Sequence, residues 1–295
     1  METRGASAKV WVREPAGSST RPESDWLFKP VTTHRDGSVQ VGDWTEVVAS
    51  RVARSLEVPA AEALLAVRHG IPGVILRNVR PAGYDMVTGR LAMLDEIDVE
   101  TRDSRRQKSA SIGHSLENVR LALDRYGPPP GATSWEGCTA FDVMTGYLVV
   151  DALIGNGDRH EQNWSVLRAQ SISNAGSDAL APTYDMEASL GFQLTDGARE
   201  ARLRDAGSIE AFVLKGLARR FEGDLDTSLV DLAARSFAMC SATGRARLKD
   251  LVGDIVDTDF EQIVEAEPSM SEVTRTFALK VLELNERRIH NAISS

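Results

Sequence analysis

Along the first eighty positions, hydrophobic and polar residues change over in short runs. Val10 to Val12 and Trp26 to Phe28 are brief apolar β-type runs. Between them AGSSTRPES, rich in small and turn-forming residues, predicts a hairpin or loop. From Asp43 to Leu56 the period lengthens. Trp44, Val48, Val52 and Leu56 recur every four residues with Val47 beside them, which predicts a helix with one apolar face that ends before Pro59. Ala63 to Val67 and Val74 to Val79 are two further apolar runs, the second opened by Pro72-Gly73. The predicted order is strand, strand, helix, strand, strand.

Beyond Arg80 the helical period dominates. Gly83 to Asp103 fits no single period, and RDSRRQKSAS reads as a solvated basic loop. Leu116 to Leu123 is helical in pattern, and GPPPGATSWEG is a loop by composition. From Phe141 to Ile154 a strongly apolar helix is predicted, with Phe141, Met144, Leu148 and Ala152 nearly in line. The polar cluster GNGDRHEQN follows, then a strand-like WSVL, a polar SISNAGSDAL and APTYDMEASLGF. Leu229 to Met239 and Ser271 to Ile293 are again helical, and Ser269 with Glu272 fits a capping box for the last helix. The pattern predicts an α+β chain. A small β-rich part with one helix covers 1–80, a larger and mainly helical part covers 81–295, and the boundary falls between Val79 and Tyr84.

Composition narrows the class. The chain has 295 residues, 42% hydrophobic and 26% charged, which suffices for a real core and excludes disordered and collagen-like chains. Its longest apolar stretch, Gly146 to Gly155, is interrupted by Asp151 and is far below the ~20 residues of a membrane span. The N-terminus METRGASAKVWVREP has no apolar signal-peptide core. Cys138 and Cys240 are too few for a disulfide framework and lack metal-site spacing. The expectation is a cytoplasmic protein with two buried thiols. Lys and Arg number 34 against 43 Asp and Glu, a net charge of -9. That balance speaks against direct nucleic-acid binding and makes a divalent cation useful to any anionic substrate.

The candidate chemistry lies in Gly155-Asn156-Gly157-Asp158-Arg159-His160-Glu161-Gln162-Asn163, with a second acidic position at Tyr184-Asp185. A plain surface loop could be as polar, but it would not need a long apolar helix leading into it. Asp158, Asn163 five positions on and Asp185 twenty-two later stand in the order that phosphoryl transfer from ATP uses. There one Asp accepts or orients the hydroxyl proton, an Asn holds a metal ion, and a later Asp holds metal that bridges the phosphates. Mg²⁺ takes oxygen ligands, and Asn offers a neutral oxygen where another charge would repel phosphate.

DALIGNGDRHEQNW and APTYDMEASLG resemble the signature pair of the HipA-like serine/threonine protein kinases, with Asn156, Asp158, Arg159, His160, Asn163, Tyr184, Asp185, Ser189, Leu190 and Gly191 at matching places. Gly113-His114-Ser115-Leu116-Glu117-Asn118 and Lys215 to Phe221 are further echoes. The resemblance implies a two-lobed protein-kinase-like fold, a kinase core without the extra N-terminal domain of HipA proper. It implies ATP and Mg²⁺ between the lobes and transfer to a protein hydroxyl. Asp158 would be the catalytic base, with Arg159 and His160 bracing its loop, and Asn163 and Asp185 would hold the metal. Lys29, in Trp26-Leu27-Phe28-Lys29-Pro30, is similar to the family's Leu-Lys-Pro lysine and would contact the α- and β-phosphates. Its glutamate partner would be Glu46, with Glu57 and Glu62 as the other candidates. Gly5-Ala6-Ser7-Ala8-Lys9 resembles the family's phosphate loop, which makes Lys9 a second phosphate contact; Gly17-Ser18-Ser19 is the other option. The implied partners are a protein substrate and an antitoxin-like or regulatory protein. Autophosphorylation at Ser18, Ser19 or Thr20 would compete with ATP.

Other readings share part of the pattern. Phosphoinositide-type lipid kinases have a loop like Gly157-Asp158-Arg159-His160-x-x-Asn163, and small-molecule kinases share the Asp-x4-Asn spacing. Tyr184-Asp185 and Ser189-Leu190-Gly191 favour the HipA-like reading. A non-catalytic ATP-binding pseudokinase has no physical need for Asp158, Asn163 and Asp185 together. A hydrolytic metal centre at Asp158, His160 and Asp185 would rest on a single histidine, thin for zinc or a two-metal hydrolase.

Overall fold

The structure, a computed structural model, describes residues 9–13, 21–33, 39–40, 43–96, 113–170 and 176–294. Strands β1 (Val10–Arg13) and β2 (Asp25–Pro30) open the chain, followed by a hairpin of β3 (Thr32–Thr33) and β4 (Val39–Gln40). Helix α1 (Asp43–Ser55) leads to β5 (Ala63–Arg68) and β6 (Ile71–Arg77). One antiparallel sheet of order β1-β2-β6-β5 results. The hairpin is an addition to the expected order, since strands of two residues carry no period to read.

The register of β2 on β6 sets Lys29 opposite Val74 and Pro30 opposite Gly73. Gly73 is required there by close approach. A Cβ on it would meet the Lys29 carbonyl oxygen at 2.2 Å. β2 therefore lies against β6 closely enough to carry the Lys29 side chain inward, and Lys29 is buried.

Helix α1 departs from the expected one-faced pattern. Thr45, Glu46 and Ser50 are buried along with Trp44, Val47, Val48, Val52 and Ala53. The reason is that the helix is covered on two sides. Val47 packs with Ala63, Val74 and Leu76 of the sheet. Trp44, Val48, Val52 and Leu56 join the main core of the larger lobe.

The ambiguous stretch after Arg80 resolves into β7 (Tyr84–Thr88) and α2 (Gly89–Glu96). Then come α3 (Leu116–Leu123), α4 (Ala140–Ile154), β8 (Ser165–Ala169) and β9 (Ala179–Leu180). β7, β8 and β9 form a second antiparallel sheet. Six helices complete the chain: α5 (Asp196–Leu203), α6 (Ala206–Leu214), α7 (Leu229–Ala238), α8 (Ala242–Asp257), α9 (Phe260–Glu265) and α10 (Glu272–Ile293). The N-cap of α10 is Ser271, whose hydroxyl accepts from the Thr274 N–H. Ser269 is not the cap, because its side chain and its N–H both bond the Glu267 carboxylate.

α4 is the axis of the large lobe. All 15 of its residues are buried, which explains an apolar pattern with no polar face. A capping box of Thr139 and Asp142 starts it, and Gly155 ends it at φ 71, a left-handed value that glycine adopts without Cβ strain. The chain turns there directly into the polar loop 156–163. No helix among the described residues is long and apolar enough to cross a membrane.

Because the obstacle at Gly73 is backbone, Gly73→Ala is expected to lower stability by about 1–3 kcal/mol in urea unfolding. Gly253 in α8 meets nothing within 4 Å, so Gly253→Ala should be neutral or stabilising by up to about 1 kcal/mol.

Candidate active site

The loop after α4 is built around one buried ion pair. Asp151, in the last turn of α4, accepts from Arg159 Nε at 2.7 Å and from Nη2 at 2.8 Å. Both side chains are almost wholly enclosed. A two-pronged guanidinium–carboxylate pair is the geometry in which buried charges best offset their desolvation. Asp151 also accepts from the Asn156 amide at 2.7 Å. Arg159 Nη1 donates to the backbone carbonyl of Asn163 at 2.6 Å and to that of Tyr184 at 3.2 Å. One guanidinium thereby ties the end of α4, the loop and the segment before Asp185 into a single unit.

Within that unit Asp158 takes its backbone position from Asn156, whose side-chain oxygen accepts the Asp158 N–H at 3.2 Å. The buried Asn163 amide donates to the Asp158 carbonyl at 2.8 Å. The Asp158 carboxylate is half-exposed, and Arg220 holds one of its oxygens. Nε and Nη2 reach Oδ1 at 2.7 and 2.5 Å. The other oxygen, Oδ2, lies 3.9 Å from His160 Nε2. His160 Nδ1 accepts the Gln162 N–H at 3.1 Å, which assigns the ring proton to Nε2. Arg220 is itself positioned by His114, whose Nδ1 bonds the Arg220 carbonyl at 2.9 Å while Nε2 accepts from Trp164. Burial holds the His114 pKa down to about 4, so this ring is neutral and keeps both bonds.

The second half of the site crosses between the lobes. Asp185 sits at φ 62, a left-handed conformation that costs a non-glycine residue on the order of 1–3 kcal/mol. Its neighbours fix it. Thr183 forms a parallel bridge with Ala60, and Thr45 Oγ1 donates to the Glu187 carbonyl at 2.8 Å. Lys29 Nζ from β2 hydrogen-bonds Asp185 Oδ1. It also lies 3.8 Å from Glu46 and 3.6 Å from Glu187. Lys9 Nζ stands 3.6 Å from the other Asp185 oxygen.

Charge balance in this cluster is uneven. Burial alone would lower the Lys29 pKa, but Glu46, Asp185 and Glu187 raise it above its ordinary value, so the ammonium is permanent. Burial would raise Asp185, yet Lys29 and Lys9 outweigh it and hold the carboxyl at about 2. Glu46 goes the other way. Burial pushes it up, Lys29 and more weakly the Met186 N–H pull it back, and Asp185 and Glu187 add repulsion, leaving it at about 7. Neither Glu46 oxygen has a well-formed hydrogen bond. Carboxylate oxygens of Glu46, Asp185 and Glu187 all lie within 4.8 Å of one another. Hard oxygen donors at that spacing, one pair of them buried without a good partner, fit a cation such as Mg²⁺.

The structure therefore gathers Lys29, Glu46, Lys9 and Asp185 at one point, and Asp158, Arg159, His160 and Asn163 in the adjoining loop. Of the other glutamates considered for Lys29, Glu57 accepts from Ser134 and Glu62 pairs with Arg77. Gly5 and the Gly17-Ser18-Ser19 stretch lie outside the described residues. Three participants were missed from sequence. Glu187 could have been suspected from its spacing, two residues after Asp185. Asp151 had a signal too, a charge set deep in an apolar run. Arg220 lies in the Lys215 to Phe221 echo, but nothing in that segment marked it as a partner of Asp158.

The fold is shared with known proteins. The HipA-like C-terminal domain family matches residues 1–281. A serine/threonine-protein kinase, CtkA of Helicobacter pylori strain J99, is 24% identical over 263 residues, covering 88% of this chain and 74% of the relative. The crystal structure of a Helicobacter pylori proinflammatory kinase CtkA superposes with a TM-score of 0.71 at 19% identity, covering 99% of this chain and 92% of that one. Both chains have the two-lobed, kinase-like α+β architecture.

The raised Glu46 pKa has a signed consequence. Folded Glu46 holds its proton up to about 7, whereas the unfolded side chain releases it near 4.5. Wild type should therefore lose stability relative to Glu46→Gln as pH rises through that window, by on the order of 3 kcal/mol. His114 titrates in the opposite sense but is common to both proteins. Urea unfolding of the pair from pH 4 to 8 checks this; a constant difference would contradict the assignment.

Proposed function

Because the chain belongs to the HipA-like C-terminal domain family, we propose that it is an ATP- and Mg²⁺-dependent kinase that transfers the γ-phosphoryl group to a Ser or Thr hydroxyl of a protein. The observation that carries the reading is the contact of Lys29, on a small-lobe strand, with Asp185, 156 positions away, beside the Asp158–Asn163 loop. The named activity of the CtkA relative, a serine/threonine-protein kinase, supports it. In this reading residues 1–80 form the nucleotide-binding small lobe and 81–295 the large lobe.

Each residue then has a task. The acceptor hydroxyl approaches Asp158. Since Arg220 occupies Oδ1, Oδ2 is the oxygen that receives the hydroxyl proton. The acceptor oxygen bonds to the γ-phosphorus, the bond from that phosphorus to the β,γ-bridging oxygen breaks, and ADP leaves. Arg159 and His160 keep the loop in place rather than exchanging protons. Asn163 and Asp185, with Glu187 beside them, would hold Mg²⁺, which neutralises phosphate charge. Lys29 reaches the α- and β-phosphates with an ammonium that its three carboxylate neighbours keep charged, and Glu46 limits where it can point. Lys9 contributes a second cation, with the Gly5 loop before it. Such catalysis is positioning and charge compensation rather than covalent chemistry. Autophosphorylation at Ser18, Ser19 or Thr20 belongs to the same proposal, although those residues lie outside the described ones.

Incubation with labelled ATP and Mg²⁺ tests the reading. Asp158→Ala should reduce phosphate transfer by about 10²–10⁴-fold while keeping stabilisation by Mg²⁺-ATP in a thermal shift assay. Lys29→Met should lose that stabilisation. Transfer by Asp158→Ala at the wild-type rate would remove Asp158 from the role of base.

A further inference from the structure

A groove of about 330 Å³ opens on the large lobe immediately beside the loop that carries Asp158. Gly157 lines it, one residue before Asp158, as do Phe192, Leu194 and Phe212. Lys215 and Arg219 line it as well. No Asp or Glu does, in a chain whose acids outnumber its bases by nine. Both cations are exposed, and neither forms an ion pair with a described residue.

The wall bearing these cations is continuous with the site. A Cβ on Gly157 would stand 3.4 Å from the Leu217 carbonyl, so the turn from Lys215 to Arg219 packs directly on the loop. The next residue, Arg220, grips Asp158. None of Lys29, Glu46 or Asp185 lines the groove, so it is separate from the proposed nucleotide site. Since Gly157 lines the groove and Asp158 is the next residue, a chain whose hydroxyl met Asp158 would have the groove beside it.

We propose that this groove binds the acceptor segment of the substrate protein and selects one that carries an apolar side chain and acidic residues near the phosphorylated hydroxyl. The apolar side chain lies against Phe192, Leu194 and Phe212, where removal from water favours it. The acidic residues meet Lys215 and Arg219, whose charges have no ion-pair partner among the described residues. This substrate class rests on the phosphotransfer reading above.

Fluorescence anisotropy with labelled short peptides tests the groove without requiring catalysis. Three peptides share a central Ser. One has flanking Leu and Glu, one has Lys in place of each Glu, and one has Ser in place of Leu. Wild type should bind the Leu/Glu peptide about tenfold more tightly than either of the others. Lys215→Glu with Arg219→Glu should reverse the charge preference. Both positions are exposed, so the melting temperature should hold. Added salt should weaken the wild-type preference, and Mg²⁺-ATP should not displace the peptide. Equal binding of the Glu and Lys peptides, or an unchanged preference in the double variant, would overturn the proposal.

Phosphorylation of the same peptides separates the two levels. Selective binding with no transfer would sink the kinase reading and leave the groove standing. Equal transfer to Glu and Lys peptides would remove the groove's role and leave the kinase reading intact.

Discussion

The site depends on the pair formed by Asp151 and Arg159. Both charges are enclosed, and a buried charge without its partner is strongly destabilising, by roughly 3–5 kcal/mol. The pair does more than cancel charge. Asp151 is the last acidic residue of a strongly apolar helix, and Arg159 directs its remaining donor at the carbonyls of Asn163 and Tyr184. The positions of the amide at 163 and of the chain entering 185 follow from where that one guanidinium sits. Asp158, between them, inherits its place from the same bonds.

Around that fixed unit the charges are arranged so that no two cations share one carboxylate oxygen. Asp158 has Arg220 on one oxygen and the other turned toward His160. Asp185 has Lys29 on one side and Lys9 on the other. Glu46 differs from both in being a buried carboxylate with no well-formed hydrogen bond and with Lys29 at 3.8 Å. A cluster of three acids around one lysine is a poor choice for stability alone. It suits a place where further charge, positive or phosphate, is to be accommodated.

Much of this was legible in the chain and some was not, for definable reasons. α3 runs over the expected Leu116–Leu123, and α4 and α10 begin within a residue of the expected positions, because long apolar periods dominate their sequences. The element order shows a β-rich part followed by a mainly helical one, and the two-lobed fold itself comes from the resemblance to the HipA-like kinases. The burial of Thr45, Glu46 and Ser50 on α1 was hidden, because part of the helix's cover comes from residues distant in sequence. The cap of α10 was misplaced because Glu272 suggested a box with Ser269, while the competing carboxylate of Glu267 had already taken that hydroxyl. At the site, Asp158, Asn163 and Asp185 are picked out by their order together with the surrounding residues that resemble the HipA-like signature. Glu187 and Arg220 act through contacts that only the folded chain creates. Glu187 meets Glu46 from a distant part of the chain, and it is the docking of α1 that brings the two together.

The double cover of α1 also makes this helix the element that the sheet and the main core have in common. Trp44, Val48, Val52 and Leu56 are set in the main core, and Arg51 reaches Glu267 at 3.5 Å. The cluster around Val47 joins the same helix to the sheet, and the Ser50 hydroxyl donates to the Ala61 carbonyl at the foot of β5. Glu46 therefore sits on a helix held by both cores, and Lys29 on a strand of the sheet alone. The Lys29–Glu46 separation of 3.8 Å thus reports how closely the sheet is seated on the one helix that both cores share.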